Sequence, residues 1–401
     1  MSEAKKTSYN LVAILIAITS TCTLGTRPLV ALFGNELNAS TIEIGLIISM
    51  FPLLPFFFAI QIGRLVDKIG CKKPLMIGGI LLGISLTIPF FVSSLLGLFL
   101  SQLFAGFGHT FSIVAGQSYM GHADHPLTRE NNVLKFSIAT SLGNFLGPLM
   151  GGYLSDTLGT PKVFLIFGLL SSCSLFLAAL VSDLGKSTVS NASAWKIWQS
   201  LELLKNANFR RALMISSLIL FAKDTFTAYF PLFGVEIGLT GTQIGTIISI
   251  NSIAGILVRL FTPKLLALFG RTRVTMGTIF ITGLFLILVP LSKEFVVSCF
   301  FSFALGIGIG MGFPLSMTAS LVSLPKERMA EGLGLRLTAN RLTQTVTPFA
   351  IGVLANYFTL SSVFIVAGGV ILLGLMKTKM KFEDEAYQKS GHEQEKFERK
   401  Q

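Results

Sequence analysis

Gly63-Arg64-Leu65-Val66-Asp67-Lys68-Ile69-Gly70-Cys71-Lys72-Lys73 is a charged hinge between two apolar runs too long for a soluble core. Gly63 and Gly70 permit tight turning and close backbone approach. Arg64, Lys68, Lys72 and Lys73 favour the cytoplasmic face of a bilayer. The stretch therefore predicts a short cytoplasmic turn joining two membrane-spanning helices. Asp67 is a lone acid among bases, placed for a local salt bridge to Lys68 or Lys72 that is worth about 1 kcal/mol or less if exposed.

Working outward, the same alternation of apolar run and short hinge fills the chain. Of 401 residues 51% are hydrophobic and only 13% charged, with a mean hydropathy of +0.70, far from soluble averages. Twelve spans near the roughly 20 residues a bilayer requires are expected at about 11–33, 42–62, 74–92, 95–116, 133–154, 162–182, 211–235, 242–263, 274–291, 295–319, 332–356 and 362–377. The fold class is thus an all-α membrane protein. Lys5 and Lys6 imitate a secretory signal, but the run after them exceeds a signal-peptide core and carries Arg27-Pro28 instead of a small-residue cleavage site, so an uncleaved first span is expected.

A net charge of +12, from 32 Lys+Arg and 20 Asp+Glu, would fit nucleic-acid binding if it formed a patch. It does not. With both termini cytoplasmic, only Lys162 and Lys293 fall in outer loops, and 24 bases lie on the cytoplasmic side. This is the positive-inside pattern, and it predicts a multi-pass protein of the inner (plasma) membrane with no nucleic-acid partner.

The chain repeats itself at an offset of 200 residues. Leu32-Phe33-Gly34 aligns with Leu232-Phe233-Gly234 and Ile44-Gly45 with Ile244-Gly245; over positions 31–49 nine residues are identical, where chance gives roughly one or two. Two six-helix bundles are expected, at 1–182 and 211–377, with a charged cytoplasmic tail at 378–401. Between them, in a linker at 183–210, Trp195, Trp198, Leu201 and Leu204 recur at helical spacing. That pattern fits an amphipathic helix, lying on the inner leaflet or packed on cytoplasmic loops. Six spans per copy is an even number, so the copies share one orientation and are related by an axis along the membrane normal.

The order of residues in 63–73 resembles the signature loop between helices two and three of major facilitator superfamily (MFS) transporters, except that Cys71 stands where the pattern has arginine. The resemblance implies that Gly63, Arg64, Asp67, Lys68, Gly70 and Lys72 gate the molecule, with Asp67 latching onto the cytoplasmic end of a helix in the other half. In the fifth span Gly143, Gly147 and Gly151 fall on one face at i+4 spacing, with Pro148 and Gly152 beside them. Small residues at that spacing admit a close helix neighbour. The run is also similar to the antiporter signature of the family's drug:proton exporters with twelve helices, which implies gating and efflux. In the fourth span the family's arginine is replaced by Gln102, beside His109, a residue that either titrates near neutral pH or packs through hydrogen bonds.

Charge at membrane depth costs at least about 2.5–3.5 kcal/mol per group, so each deep charge is a candidate for function. Asp224 is the only carboxylate placed near the midplane. It is either the proton carrier or a permanent ion-pair partner of Arg27, Lys223 or Arg341. Asn340, Arg341 and Gln344 share one side of the eleventh span. Arg27, Gln102, Lys223, Asn340, Arg341 and Gln344 are therefore candidates for lining a cavity between the halves, with His109 and Asp224 for proton coupling. Arg259, Arg336 and Lys135 lie close enough to the cytoplasmic ends to reach headgroups.

The MFS resemblance implies a secondary transporter that works by alternating access, here a proton-coupled monomeric exporter of a small drug-like, anionic or zwitterionic molecule in the lipid bilayer. An importer or facilitator, or a membrane sensor that moves nothing, are the alternatives. No glycine-rich loop ends in Lys-Ser or Lys-Thr, no nucleophile elbow or catalytic carboxylate pair is present, and no His/Cys cluster has metal spacing. No enzyme, cofactor or metal is expected.

Overall fold

A computed structural model of the chain describes residues 3–122, 126–182, 201–324 and 328–378. Those residues form twelve long helices: α1 (Glu3–Glu36), α2 (Thr41–Ile69), α3 (Lys72–Phe91), α4 (Leu95–Gly121), α5 (Pro126–Leu158), α6 (Thr160–Leu180), α7 (Ala207–Glu236), α8 (Gly241–Phe269), α9 (Arg271–Leu288), α10 (Phe295–Val322), α11 (Met329–Tyr357) and α12 (Leu360–Lys377). Ten of the twelve are long and apolar enough to cross a membrane on composition. The other two, α5 and α11, occupy equivalent places in the repeat. With 33 and 29 residues each is longer than about 40 Å, more than the ~30 Å hydrocarbon layer. Several of their polar residues, Asn132, Arg336, Asn340 and Thr347, are buried against protein.

Local chemistry repeats with the sequence. Ser40 caps α2 in a box with Glu43, and Thr240 caps α8 in a box with Gln243, so each helix begins with its first donors satisfied. Asn38 and Gly238 both take positive φ in the turn before the cap, and Gly70 and Gly270 end α2 and α8 at φ 82° and 74°. These positions differ by 200, so the two copies share their backbone punctuation.

The halves meet along two seams that exchange the same partners. A Cβ on Gly45 of α2 would strike the Pro348 carbonyl of α11, and a Cβ on Gly245 of α8 would strike the Pro148 carbonyl of α5. Likewise Gly352 abuts Thr41, and Gly152 abuts Gly241. Contacts that swap under a shift of 200 residues are the signature of a pseudo-twofold axis between the bundles. Thr41 Oγ1 donates to the Gly352 carbonyl at 3.1 Å and Ser249 Oγ to the Phe145 carbonyl at 2.6 Å. All of these contacts lie in the part of the helices remote from the chain termini.

Within the first half, Gly143, Gly147 and Gly151 face α1 rather than the seam: a Cβ on Gly147 would sit 2.7 Å from Gly25 N and Thr21 O. Of the linker pattern, Trp195 and Trp198 lie outside the described residues. The next segment, Leu201–Lys205, is a 3-10 turn that buries Leu203 with Phe209, Leu213 and Leu324. Leu201 is exposed there.

Gly147→Val should lower the thermal midpoint of the protein in detergent, in line with the about 1–3 kcal/mol typical of overpacking. Gly369→Ala in α12, where an added methyl meets nothing within 4 Å, should leave it unchanged or raise it slightly. Equal shifts would mean that α1 and α5 are not in contact at Gly147.

Candidate functional site

Charge is scarce within the helices, and much of it converges between α1, α7 and α11. Asp224 on α7 is 5% exposed, with Oδ1 3.7 Å from Arg27 Nη1 on α1. The Arg27 guanidinium stands 4.7 Å from the centre of the Phe51 ring on α2, a geometry that holds a cation by the ring quadrupole. The same ring lies 5.9 Å from the His109 imidazole on α4. On α11, Arg341 Nη1 donates to Gln344 Oε1 at 3.1 Å, and Ser216 Oγ of α7 donates to Asn340 Oδ1 at 2.8 Å.

A narrow cavity between the halves is lined by Arg27, Gln102, Asp224, Thr227 and Gln344 with apolar Ile48, Ala228 and Pro348. Asp224 Oδ2, Arg27 Nε and His109 Nδ1 are buried and have no hydrogen-bond partner among the described residues. Buried polar atoms are ordinarily satisfied. Three such atoms fall in this one cluster and leave it spare hydrogen-bonding capacity.

The repeat breaks at this cluster. Arg27 corresponds to Thr227, Asp224 to Leu24, Arg341 to Ser141 and Gln102 to Ser302. The two copies keep the seam and turn glycines, Gly45 with Gly245, Gly152 with Gly352 and Gly70 with Gly270, and differ in the residues that carry charge.

Other expected residues fall elsewhere. Lys223 is half-buried beside Asp224 in the chain but is not among the cavity-lining residues. Near the termini, Arg64, Asp67 and Lys68 are exposed at the end of α2, and Gly63 and Gly70 flank them. Among the described residues Asp67 has no ion pair with Lys68 or Lys72; Lys72 Nζ donates instead to the Ala179 carbonyl at 2.7 Å. Pro148 and Gly152 face α8, whereas Gly143, Gly147 and Gly151 pack on α1.

Arg336 does not reach the headgroups. It is 2% exposed, donates to Ser316 Oγ at 3.1 Å and to the Phe313 carbonyl at 3.3 Å, and lies over the Phe313 ring. Its helix is packed there by α10, so the shortest route to a polar partner runs inward. Arg259 is likewise held by the Gly310 carbonyl at 3.1 Å, and Lys135 by Asn10 at 2.7 Å. Phe51 and Asp156, which the sequence did not single out, both make contacts important to the site and its rim.

The sequence profile of the Major Facilitator Superfamily matches residues 11–342 and 218–399. The chain belongs to that superfamily. It is 28% identical over 359 residues to the uncharacterised MFS-type transporter MJ1560 of Methanocaldococcus jannaschii, covering 86% of this chain and 92% of that one. A shorter stretch of 108 residues, 26% of this chain and 22% of its relative, is 36% identical to mouse monocarboxylate transporter 6. The fold is similar to the crystal structure of a point mutant of the nucleoside transporter NupG, with a TM-score of 0.77 at 16% identity over 93% of this chain and 100% of that one. The protein is therefore a multi-pass MFS membrane transporter and not an enzyme.

As an MFS transporter it must hold its central charges in balance. Asp224 faces three nearby cations in the chain's own count, Arg27, Lys223 and Arg341, so removing the acid leaves an uncompensated cluster. Asp224→Asn should therefore destabilise the detergent-solubilised protein by about 3–5 kcal/mol. Arg27→Gln should cost less, because Arg341 and Lys223 remain for Asp224. Thermal midpoints in the reverse order would contradict this charge balance.

Proposed function

We propose that this MFS transporter is a proton-coupled exporter of a small anionic or zwitterionic molecule, within the wider class of drug-like and metabolite substrates. The observation that carries the proposal is the Asp224–Arg27 pair inside a cavity between the halves. A buried acid next to a base is a two-position switch. Ionised, Asp224 holds Arg27. Protonated, it releases the guanidinium, whose charge is then free for a substrate carboxylate. One proton is thereby bound together with one anionic group, and the pair can cross without leaving an unpaired charge in the membrane.

The substrate class rests on the charge around the cavity: Arg27 and Asp224 line it, and Arg341, outside the lining but hydrogen-bonded to the lining Gln344, adds a second cation that an anion would balance. The partial likeness to a monocarboxylate transporter is in keeping with it. The export direction rests on the Gly143–Gly152 run and its similarity to the antiporter signature. His109, linked to Arg27 through Phe51, is the second candidate on the proton path.

In this proposal the protein sits in the plasma membrane as a monomer with both termini cytoplasmic, because nearly all loop lysines and arginines lie on the terminal side. Residues 1–182 and 211–377 form the two rocking bundles, joined by 183–210 and followed by the tail 378–401. The seams remote from the termini are then extracytoplasmic, and the conformation described is closed to the outside.

Reconstituted in vesicles with an imposed pH gradient, the wild type should move radiolabelled short-chain monocarboxylates or amino acids against their gradient. Asp224→Asn should keep substrate exchange at equal pH but lose gradient-driven accumulation. Arg341→Ala should raise KM by about tenfold or more, the loss of one charge-assisted hydrogen bond. Full gradient-driven transport by Asp224→Asn would remove Asp224 from the proton path.

A further inference from the structure

Asp156 stands two residues before the end of α5, on the side remote from the termini. Its Oδ1 accepts the Gly241 N–H at 2.8 Å, and its Oδ2 accepts the Thr242 N–H at 2.7 Å and the Thr242 hydroxyl at 2.6 Å. Gly241 and Thr242 open α8 in the other half, where the first amides of a helix have no partner of their own and the macrodipole is positive. A carboxylate from one bundle thus satisfies the helix start of the other through three charge-assisted bonds. The site has no twin across the pseudo-twofold axis among the described residues. The equivalent of Asp156 is Asn356, which is exposed and makes none of these bonds.

The sequence around Asp156 has a different counterpart. Gly152-x-Leu154-x-Asp156-x-x-Gly159 repeats the spacing of Gly63-x-Leu65-x-Asp67-x-x-Gly70 at an offset of 89 residues, and the same offset pairs Gly79 with Gly168 and Ser85 with Ser174. Both acids lie two residues from a helix end, and both helices stop at a positive-φ glycine, Gly70 at 82° and Gly159 at 87°. The copies are offset by three helices, an odd number, so they point in opposite directions through the bilayer. One acid is on each face of the membrane.

We propose that Asp156 is the latch that holds the outer side of the cavity shut, engaged in the conformation opposite to the one in which Asp67 takes the latching role that the MFS resemblance implies. The proposal rests on the alternating-access reading given above. In the conformation described Asp156 is bonded to α8, while Asp67 is exposed and unpaired among the described residues. The relation that carries α5 onto α2 carries α8 onto α11, so the start of α11 near Met329 is where Asp67 docks when the inner side closes. Opening the outer side breaks three bonds at Asp156 as the bond at Asp67 forms, and the two states stay close in energy.

The test measures the distance across the outer face directly. Spin labels at Lys162→Cys in the first turn of α6 and Lys293→Cys in the loop before α10, exposed positions in different halves, are read in full-length protein carrying Cys173→Ser and Cys299→Ser. Asp156→Asn should raise the long-distance, outward-open population about tenfold relative to the closed one, and Thr242→Val should raise it by a smaller factor. In the double variant Thr242→Val should add nothing, because its hydroxyl acts only through Asp156. Asp67→Asn should shift the population the other way. Unchanged distances in Asp156→Asn, or additive effects in the double variant, would overturn the latch, and Thr242→Val alone decides the direction if Asp156→Asn does not fold. The readout requires no substrate. Absence of flux with these shifts intact would overturn the transport reading and leave the latch standing.

Discussion

The two bundles touch where a glycine on one helix faces a backbone carbonyl on another, at Gly45 with Pro348 and at Gly245 with Pro148. Side chains are absent from those points, so the backbones approach as closely as helices can, and dispersion between them replaces the hydrophobic drive that lipid cannot supply. A seam of this kind is tight but carries few specific bonds. It can part over its length without stranding many buried polar groups. The prolines add to this, because a proline nitrogen donates nothing to the preceding turn and leaves the local ladder already loosened.

Between the seams, charge is concentrated in a small volume. Arg27, Asp224 and Arg341 sit in surroundings where an unpaired charge is expensive, yet three buried polar atoms among Arg27, Asp224 and His109 lack protein partners among the described residues. In the proposed cycle these atoms are the ones a substrate, a proton or water would meet. The break in the repeat at these positions fits the same logic, since a symmetric pair of acids or of bases would repel itself across the axis.

Much of the architecture was legible in the residues. Twelve apolar runs, the nine identities over positions 31–49 and the charge bias of the loops gave the class, the duplication and the helix order. The signature in 63–73 gave the family. Of the residues expected around a cavity, Arg27, Gln102, Gln344 and the deep acid Asp224 line one, while Lys223, Asn340 and Arg341 lie outside its lining. Arg336 was misjudged because distance from a helix end does not say whether a neighbouring helix covers it. Leu203 lies off the spacing of Trp195, Trp198, Leu201 and Leu204, and only its packing on Phe209, Leu213 and Leu324 marks it as buried. Phe51 looked like one more aromatic in an apolar run, and only its place under Arg27 gives it a role.

The sequence by itself determined that this chain crosses the membrane many times, is a duplicated helical unit, and carries its few deep charges on particular turns, because hydropathy, period and repeat are properties of local order along the chain. The tertiary structure alone decided which of those charges meet, that Gly143 to Gly151 serve α1 while Pro148 and Gly152 serve the seam, and that Asp156 rather than Asp67 is bonded in this conformation. Those outcomes depend on which helices lie side by side, and a side chain's partner across a seam leaves no mark in the residues next to it.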